Sequence, residues 1–279
     1  MILRRLATSI RKQGWFAVII ETLIVVFGVF IGLQVNNWNN ALGDRQSETQ
    51  ILRDVATDLL ADIEGYYDQI ENVQLRIATI SYIFDSTPSA AVNELISSPE
   101  EIELWPTWAA PDEDALQTGS LEPNFNFEDY AAAAKESLWS TAITAKYAQR
   151  SGAAFDALVN SGELGIIRNK EIVRQLQNYQ LVTMAIEKSQ DVTLRPARDA
   201  ATFVGHKFGL AAFGALDEGE FLRLIASEPE LAATLQTQLG WATTHHVMLV
   251  AAEQSAQRLL EDIQTELGET TGDDGGASE

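Results

Sequence analysis

Hydrophobic positions along this chain change their rhythm twice. From Gly14 to Val35 they are almost continuous, GWFAVIIETLIVVFGVFIGLQV, 22 residues with Glu21 as the one ionisable group. As a helix this run is about 33 Å long, close to the roughly 30 Å hydrocarbon thickness of a bilayer. The pattern therefore predicts a transmembrane helix over residues 14–36. Between residues 45 and 85 the apolar positions space out to Leu52, Val55, Leu59, Ile63, Tyr66, Ile70, Val73, Ile77, Ile80 and Phe84. Steps of three and four alternate there, except for two fours in succession at Val55 to Leu59 to Ile63, so a long coiled-coil-like helix is expected.

Five of the seven prolines, Pro88, Pro99, Pro106, Pro111 and Pro123, then fall in an irregular excursion at 86–128. Four aromatic residues in it, Trp105, Trp108, Phe125 and Phe127, make it a candidate partner loop. Helical periodicity returns from Asp129 to Asn160, where Gly162 reads as a C-terminal glycine. Asn169 is expected to cap a helix that runs to about Leu194 and is broken or kinked by Pro196. Two capping boxes, Asp217 with Glu220 and Ser227 with Glu230, predict a short helix and then a long one to about Leu267. Residues 268–279 read as a disordered acidic tail. The expected fold is all-α: one N-terminal transmembrane helix, a long coiled-coil-like helix and an extramembrane helical bundle, the bundle domain covering 37–267.

Within the apolar run, Glu21, Val25, Gly28, Gly32 and Asn36 share one helical face. Gly28 and Gly32 form a small-xxx-small pair, which lets two backbones approach, so this face is the candidate packing surface for another span. Glu21 has three ways to survive there: reaching the near interface, meeting a basic partner, or staying protonated between helices.

Charge sets the direction of insertion. Residues 1–13 carry Arg4, Arg5, Arg11 and Lys12 and no acid, whereas 39 of the 40 acidic and 15 of the 19 basic side chains lie beyond residue 41, a net −24. The positive-inside rule then places the N-terminal segment in the cytoplasm and the acidic body on the far side, which in a bacterium is the periplasm, with a single pass through the inner membrane. Trp15 and Trp38 stand near the two interfaces. The run exceeds the length of a signal-peptide core, so an uncleaved signal anchor is expected rather than cleavage after ALG at 41–43. A body this acidic repels phosphate, which argues against nucleic acid as a partner.

The exit from the run, Gln34, Asn36, Asn37, Trp38 and Asn39 in GVFIGLQVNNWNN, together with FDALVNSGELGIIRNKEIVRQLQNY at 155–179, resembles an uncharacterised family of bacterial single-pass membrane proteins. Its members begin with a basic segment, a Glu-bearing span and a Leu-Gln-x-Asn-Asn-Trp-Asn exit. The likeness covers about 50 residues and departs after Asn39, where NALGDRQ replaces an acidic residue and basic run. It implies topology and a helical fold and supplies no activity. KQGWFAVIIE is also similar to the start of type IV pilin-like proteins, but Glu21 is seventh from Trp15 rather than fifth.

Candidate chemistry is sparse. The sequence has no cysteine, no phosphate loop, no GxSxG elbow and no HExxH or Glu-x-x-His pair. His245 and His246 are adjacent, about 100° apart on a helix, so one is expected to face the bundle and one to face out, with no metal role. Asp54, Asp58 and Asp62 form a row expected to be a solvated face. No enzyme and no cofactor is expected. The leading expectation is a scaffold or accessory subunit that assembles with itself or with another membrane complex. A periplasmic ligand-binding or sensor module acting through a partner is the alternative, and a pilin-like subunit comes after it.

Overall fold

The computed structural model describes residues 2–87, 135–147 and 150–269, with side chains described from Ile19 on apart from positions 36, 37, 40, 41 and 163. The excursion at 88–134, with Trp105, Trp108, Phe125 and Phe127, and the tail from 270 lie outside the described residues. Every regular element among the described residues is helical, so the all-α expectation holds. The chain divides into two units, residues 1–53 and 54–279.

Helix α1 spans Ile2–Asp85, 84 residues without a proline. Its first unit carries the apolar run. Twelve large apolar side chains between Ile19 and Val35 are 40% to 67% exposed, on every side of the helix. Among the described residues no helix is long and apolar enough to cross a membrane. The described side chains of this run span 19–35, short of the full 14–35 stretch in the sequence.

In the second unit Ala78, Thr79 and Phe84 of α1 are buried beside a seam made of Val55, Leu59, Asp62, Tyr66, Gln69, Val73, Arg76, Ile80 and Ile83. These follow an unbroken alternation of four and three, the heptad rhythm of a helix packed along its length. The expected seam differs at three points: Ile63, Ile70 and Ile77 are only partly buried, and Asp62, Gln69 and Arg76 hold the central places. The doubled step of four that reached Ile63 marks where an apolar reading leaves the true seam by one residue, about 100° around the helix.

Helix α2 spans Leu138–Ile143, and an extended segment separates it from helix α3, Ala153–Ser161. The single helix expected from 129 to 160 is therefore interrupted, and its first residues, 129–134, lie outside the described residues. Side chains of α1 satisfy the backbone of this segment: Asn72 accepts from the Lys146 N–H at 2.9 Å, Asp62 from Ser151 at 2.6 Å and Asp58 from Ala154 at 2.8 Å. A loop lying on a helix can remain extended only if its donors find such acceptors.

Gly162 ends α3 with φ 74°, a left-handed position that favours glycine, as expected. A 3₁₀ turn at Glu163–Ile166 leads to helix α4, Lys170–Ser189, whose cap Asn169 accepts from the Glu171 and Ile172 N–H groups. The helix does not stop near Leu194. A π segment, Gln190–Leu194, joins it to helix α5, Arg195–Lys207, with the Arg195 N–H bonded five residues back to the Gln190 carbonyl. Pro196, which has no N–H to give, is accommodated in the first turn of α5 after this widened turn, so it neither ends the helix nor leaves a donor orphaned.

Helix α6, Glu218–Ser227, is capped by Asp217, which accepts from the Glu220 N–H at 3.0 Å. The second expected box fails: the Ser227 hydroxyl donates back to the Leu224 carbonyl, and helix α7, Pro229–Leu267, begins after Glu228 without a side-chain cap. Proline in its first turn needs one donor fewer. Helix α7 ends at Leu267 as expected, followed by Gly268 with φ 70°.

Helix α7 packs against α4, α5, α6 and α2. In this unit Ile80, Ile83, Trp139, Phe221, Leu231 and Leu235 are buried together in one apolar core. Gly205 on α5 lets the Trp139 indole lie against the helix: a Cβ there would stand 2.6 Å from Cζ2 of the ring.

Candidate functional site

Three polar residues at seven-residue intervals on α1, Asp62, Gln69 and Arg76, set three polar layers inside the bundle. Successive layers are about 10.5 Å apart at helical rise. Each layer is completed by residues that no short motif joins.

At the first layer, Asp62 accepts the Ser151 N–H at one carboxylate oxygen and the Tyr179 hydroxyl, 2.8 Å away, at the other. The Tyr179 oxygen in turn lies 3.2 Å from that of Tyr66. Burial pushes the Asp62 pKa up, an effect opposed by the Ser151 N–H, the Tyr179 hydroxyl and the nearby charge of Arg150. Burial also pushes the Tyr66 phenol up to about 12, and it raises Tyr179 further, with Tyr66 and Asp62 acting in the same direction. Both phenols therefore stay protonated. The Arg150 guanidinium lies over the rings of Phe155 and Tyr179, at 5.2 and 6.0 Å.

The middle layer joins α1, the π segment and α7. Gln190, which opens the π segment, donates its amide to Gln69 at 3.4 Å and lies 3.3 Å from Nε2 of His245. His246 contacts Gln74 at 3.4 Å. Both histidines are buried, contrary to the expectation that one faces out, because α7 is covered on more than one side and neighbouring positions both turn inward. Desolvation, then the positive charge of Arg76 and the neighbouring His246, bring His245 down to about 3; desolvation also lowers His246. A neutral imidazole is the result, since its charged form would be a second buried cation beside a guanidinium.

At the third layer Arg76, only 3% exposed, donates to the Ala142 carbonyl and to the Gln238 amide oxygen, each at 3.3 Å. Gln238 is oriented by donating to the Ala197 carbonyl at 3.0 Å. Burial lowers Arg76 to about 10, so it remains a cation at neutral pH. Tyr147 lies alongside, its ring centroid 6.1 Å from that of His245 and its face 4.4 Å from the Arg195 guanidinium. Burial raises the Tyr147 phenol, while Arg76, Arg198 and Arg195 pull it back.

Hydrogen bonding, recognition of a charged group and sharing of a proton between Asp62, Tyr179 and Tyr66 are within the reach of this array. Among the described residues no group of three or more His, Asp or Glu side chains is placed to hold a metal. The carboxylate row resolves into separate roles: Asp54 is exposed, Asp58 is half-buried and caps the start of α3, and Asp62 is buried, so the row as a whole is not a solvated face.

The anticipated packing residues lie elsewhere, in the first unit. Glu21, Val25, Gly28 and Gly32 are exposed on α1, and a Cβ at either glycine would meet nothing within 4 Å. Of the exit motif, Gln34, Trp38 and Asn39 are exposed, and the side chains of Asn36 and Asn37 lie outside the described residues. Apolar periodicity passes over Asp62, Gln69 and Arg76 because it looks for hydrophobes; the unbroken 4-3 spacing through those positions was the signal for them.

No family model matches the chain, and neither the curated proteins nor the solved structures contain a significant match to it.

Proposed function

We propose that this chain is a non-enzymatic, membrane-anchored scaffold or accessory subunit, with residues 14–36 crossing the bacterial inner membrane, the basic N-terminal segment in the cytoplasm and the helical body in the periplasm. The observation that carries this reading is the first unit of α1, where large apolar side chains from Ile19 to Val35 are exposed all round the helix. A helix apolar on every face belongs in a protein core or in lipid, and water-soluble monomers rarely expose a continuous apolar surface of that extent. The charge asymmetry about the run supplies the direction. Assembly runs through the Glu21, Val25, Gly28, Gly32 and Asn36 face, toward a second copy or another membrane complex. The likeness to the uncharacterised single-pass family forms part of this proposal and rests on its two motifs.

Because the chain lacks cysteine, single cysteines report topology without background. Ala7→Cys and Ser47→Cys variants, expressed in intact bacterial cells, are treated with a membrane-impermeant maleimide. Labelling at position 47 and protection at position 7, with the chain retained in membranes after carbonate washing, are expected. Release by carbonate, or equal labelling at both positions, would overturn the anchor.

A further inference from the structure

We propose that Arg76, Tyr147 and His245 form a binding site for one small monovalent anion, of the class of a simple carboxylate or a halide, within the helical body. The site stands apart from the membrane reading, since all its residues lie in the second unit.

The argument begins with donors. A guanidinium offers five N–H groups, and among the described residues Arg76 donates to two neutral oxygens, both at the long distance of 3.3 Å, and to no carboxylate. A cation this deeply buried is costly unless it is neutralised. Among the described residues the Tyr147 hydroxyl is also buried without a partner, and so is Nδ1 of His245, on a residue with no exposed surface.

The histidine can be assigned a tautomer. Gln190 Nε2 donates to Gln69, so the same amide group faces His245 Nε2 as a donor, and Nε2 must accept. The proton of the neutral ring is then on Nδ1. Two unused donors, the Tyr147 O–H and the His245 Nδ1–H, therefore lie near a guanidinium that has only neutral acceptors among the described residues. Arg76 is close enough to act electrostatically on both, and the two rings are 6.1 Å apart.

A constellation made only of donors and carrying a positive charge is complementary to an anion and to nothing cationic. The acids nearby do not fill the role: Asp191 and Asp199 are paired with Arg195 at 3.0 Å and Arg198 at 2.6 Å. Arg76 acts on Tyr147 more strongly than Arg198 and Arg195, whose charges are offset by these acids. Tyr147 is half-buried, and Arg195, 46% exposed in its side chain, lies over its ring, which gives the site a way to solvent.

The test uses the full-length chain in detergent, with its thermal unfolding followed by circular dichroism as sodium formate, acetate or chloride is titrated at ionic strength held constant with sodium sulfate. At least one of these anions is expected to raise Tm along a saturating curve, and the anion that does so distinguishes a carboxylate from a halide. Tyr147→Phe, which keeps the ring and the Arg195 contact, is expected to raise the fitted Kd at least five-fold. Arg76→Met, which keeps the volume of the stem and removes the charge, is expected to abolish the response. Flat curves for all three anions in the unsubstituted chain, or an unchanged response in both variants, would overturn the site.

Discussion

Tyr179 donates a hydrogen bond to Asp62 across 2.8 Å, joining α4 to α1 in the interior of the bundle. The same carboxylate receives the Ser151 N–H at its other oxygen. One side chain thus ties together two helices and a loop.

Removing the phenol leaves that carboxylate buried with one acceptor unmet. Tyr179→Phe is expected to destabilise the body by about 1–3 kcal/mol, the usual cost of an orphaned buried polar group. In the Asp62→Asn background the same change should cost less, because a neutral amide is cheaper to leave unpaired. Urea unfolding of the four proteins of this cycle measures the coupling, and strictly additive values would exclude it.

Two glycines in helices should respond with opposite signs. A Cβ at Gly205 meets the rigid Trp139 ring at 2.6 Å, and that ring is buried in the apolar cluster. Gly205→Ala is therefore expected to lose about 1–2 kcal/mol, the overpacking cost exceeding the gain in helix propensity. At Gly240 on α7, an exposed position, nothing lies within 4 Å of a Cβ. Gly240→Ala should gain about 0.5–1 kcal/mol. Shifts of the urea midpoint in opposite directions confirm the pair.

Acid should weaken the body through its two buried histidines. Unfolding returns both rings to the ordinary value near 6.5, whereas in the folded chain His245 lies near 3 and His246 is also lowered. The unfolded chain therefore binds more protons between those values, so the stability they confer is complete above about pH 6.5 and is lost as pH falls toward 3. Asp62 and Glu253, both raised by burial, act in the opposite sense at the acid end. Urea midpoints measured from pH 7.5 to 5 should fall, and His245→Gln should flatten the slope; a slope unchanged in that variant removes His245 as its source.

Gly28→Leu tests the packing face in isolation from the helix that carries it. A side chain at Gly28 meets nothing within 4 Å, so any loss is attributable to a neighbouring span. In-membrane cross-linking between copies, or to a partner, is expected to drop several-fold, with helix content unchanged. Equal cross-linking in both proteins would show that the spans do not meet on this face.

Much of the architecture was legible because it rests on local rules. Gly162, Asn169, Asp217 and the end of α7 at Leu267 all follow from backbone groups that need a partner within one turn. The interior site was harder to see because its members come from elements far apart in the chain: Asp62 meets Tyr179, Gln69 meets Gln190, and Arg76 meets Gln238. Nothing within a few residues of Gln69 announces that a glutamine from a π turn will face it. The continuation of the helix past Leu194 was missed for a related reason, since a proline forbids a regular α turn but says little about the wider turn that accommodates it. Ser227 failed as a cap because its hydroxyl found a carbonyl of its own helix first.

The polar layers of α1 also make the bundle directional. A seam of leucines and valines looks the same to its partner after every seven residues, so a helix displaced by two turns would still bury its apolar surface. Here such a displacement would bring Gln69 to the place of Asp62, facing Tyr179, and Arg76 to the place of Gln69, where the donating amide of Gln190 would meet another donor. Each step along the helix asks for a different chemical answer, as the wards of a lock do, and only one alignment of α1 with α4 and α7 supplies all three.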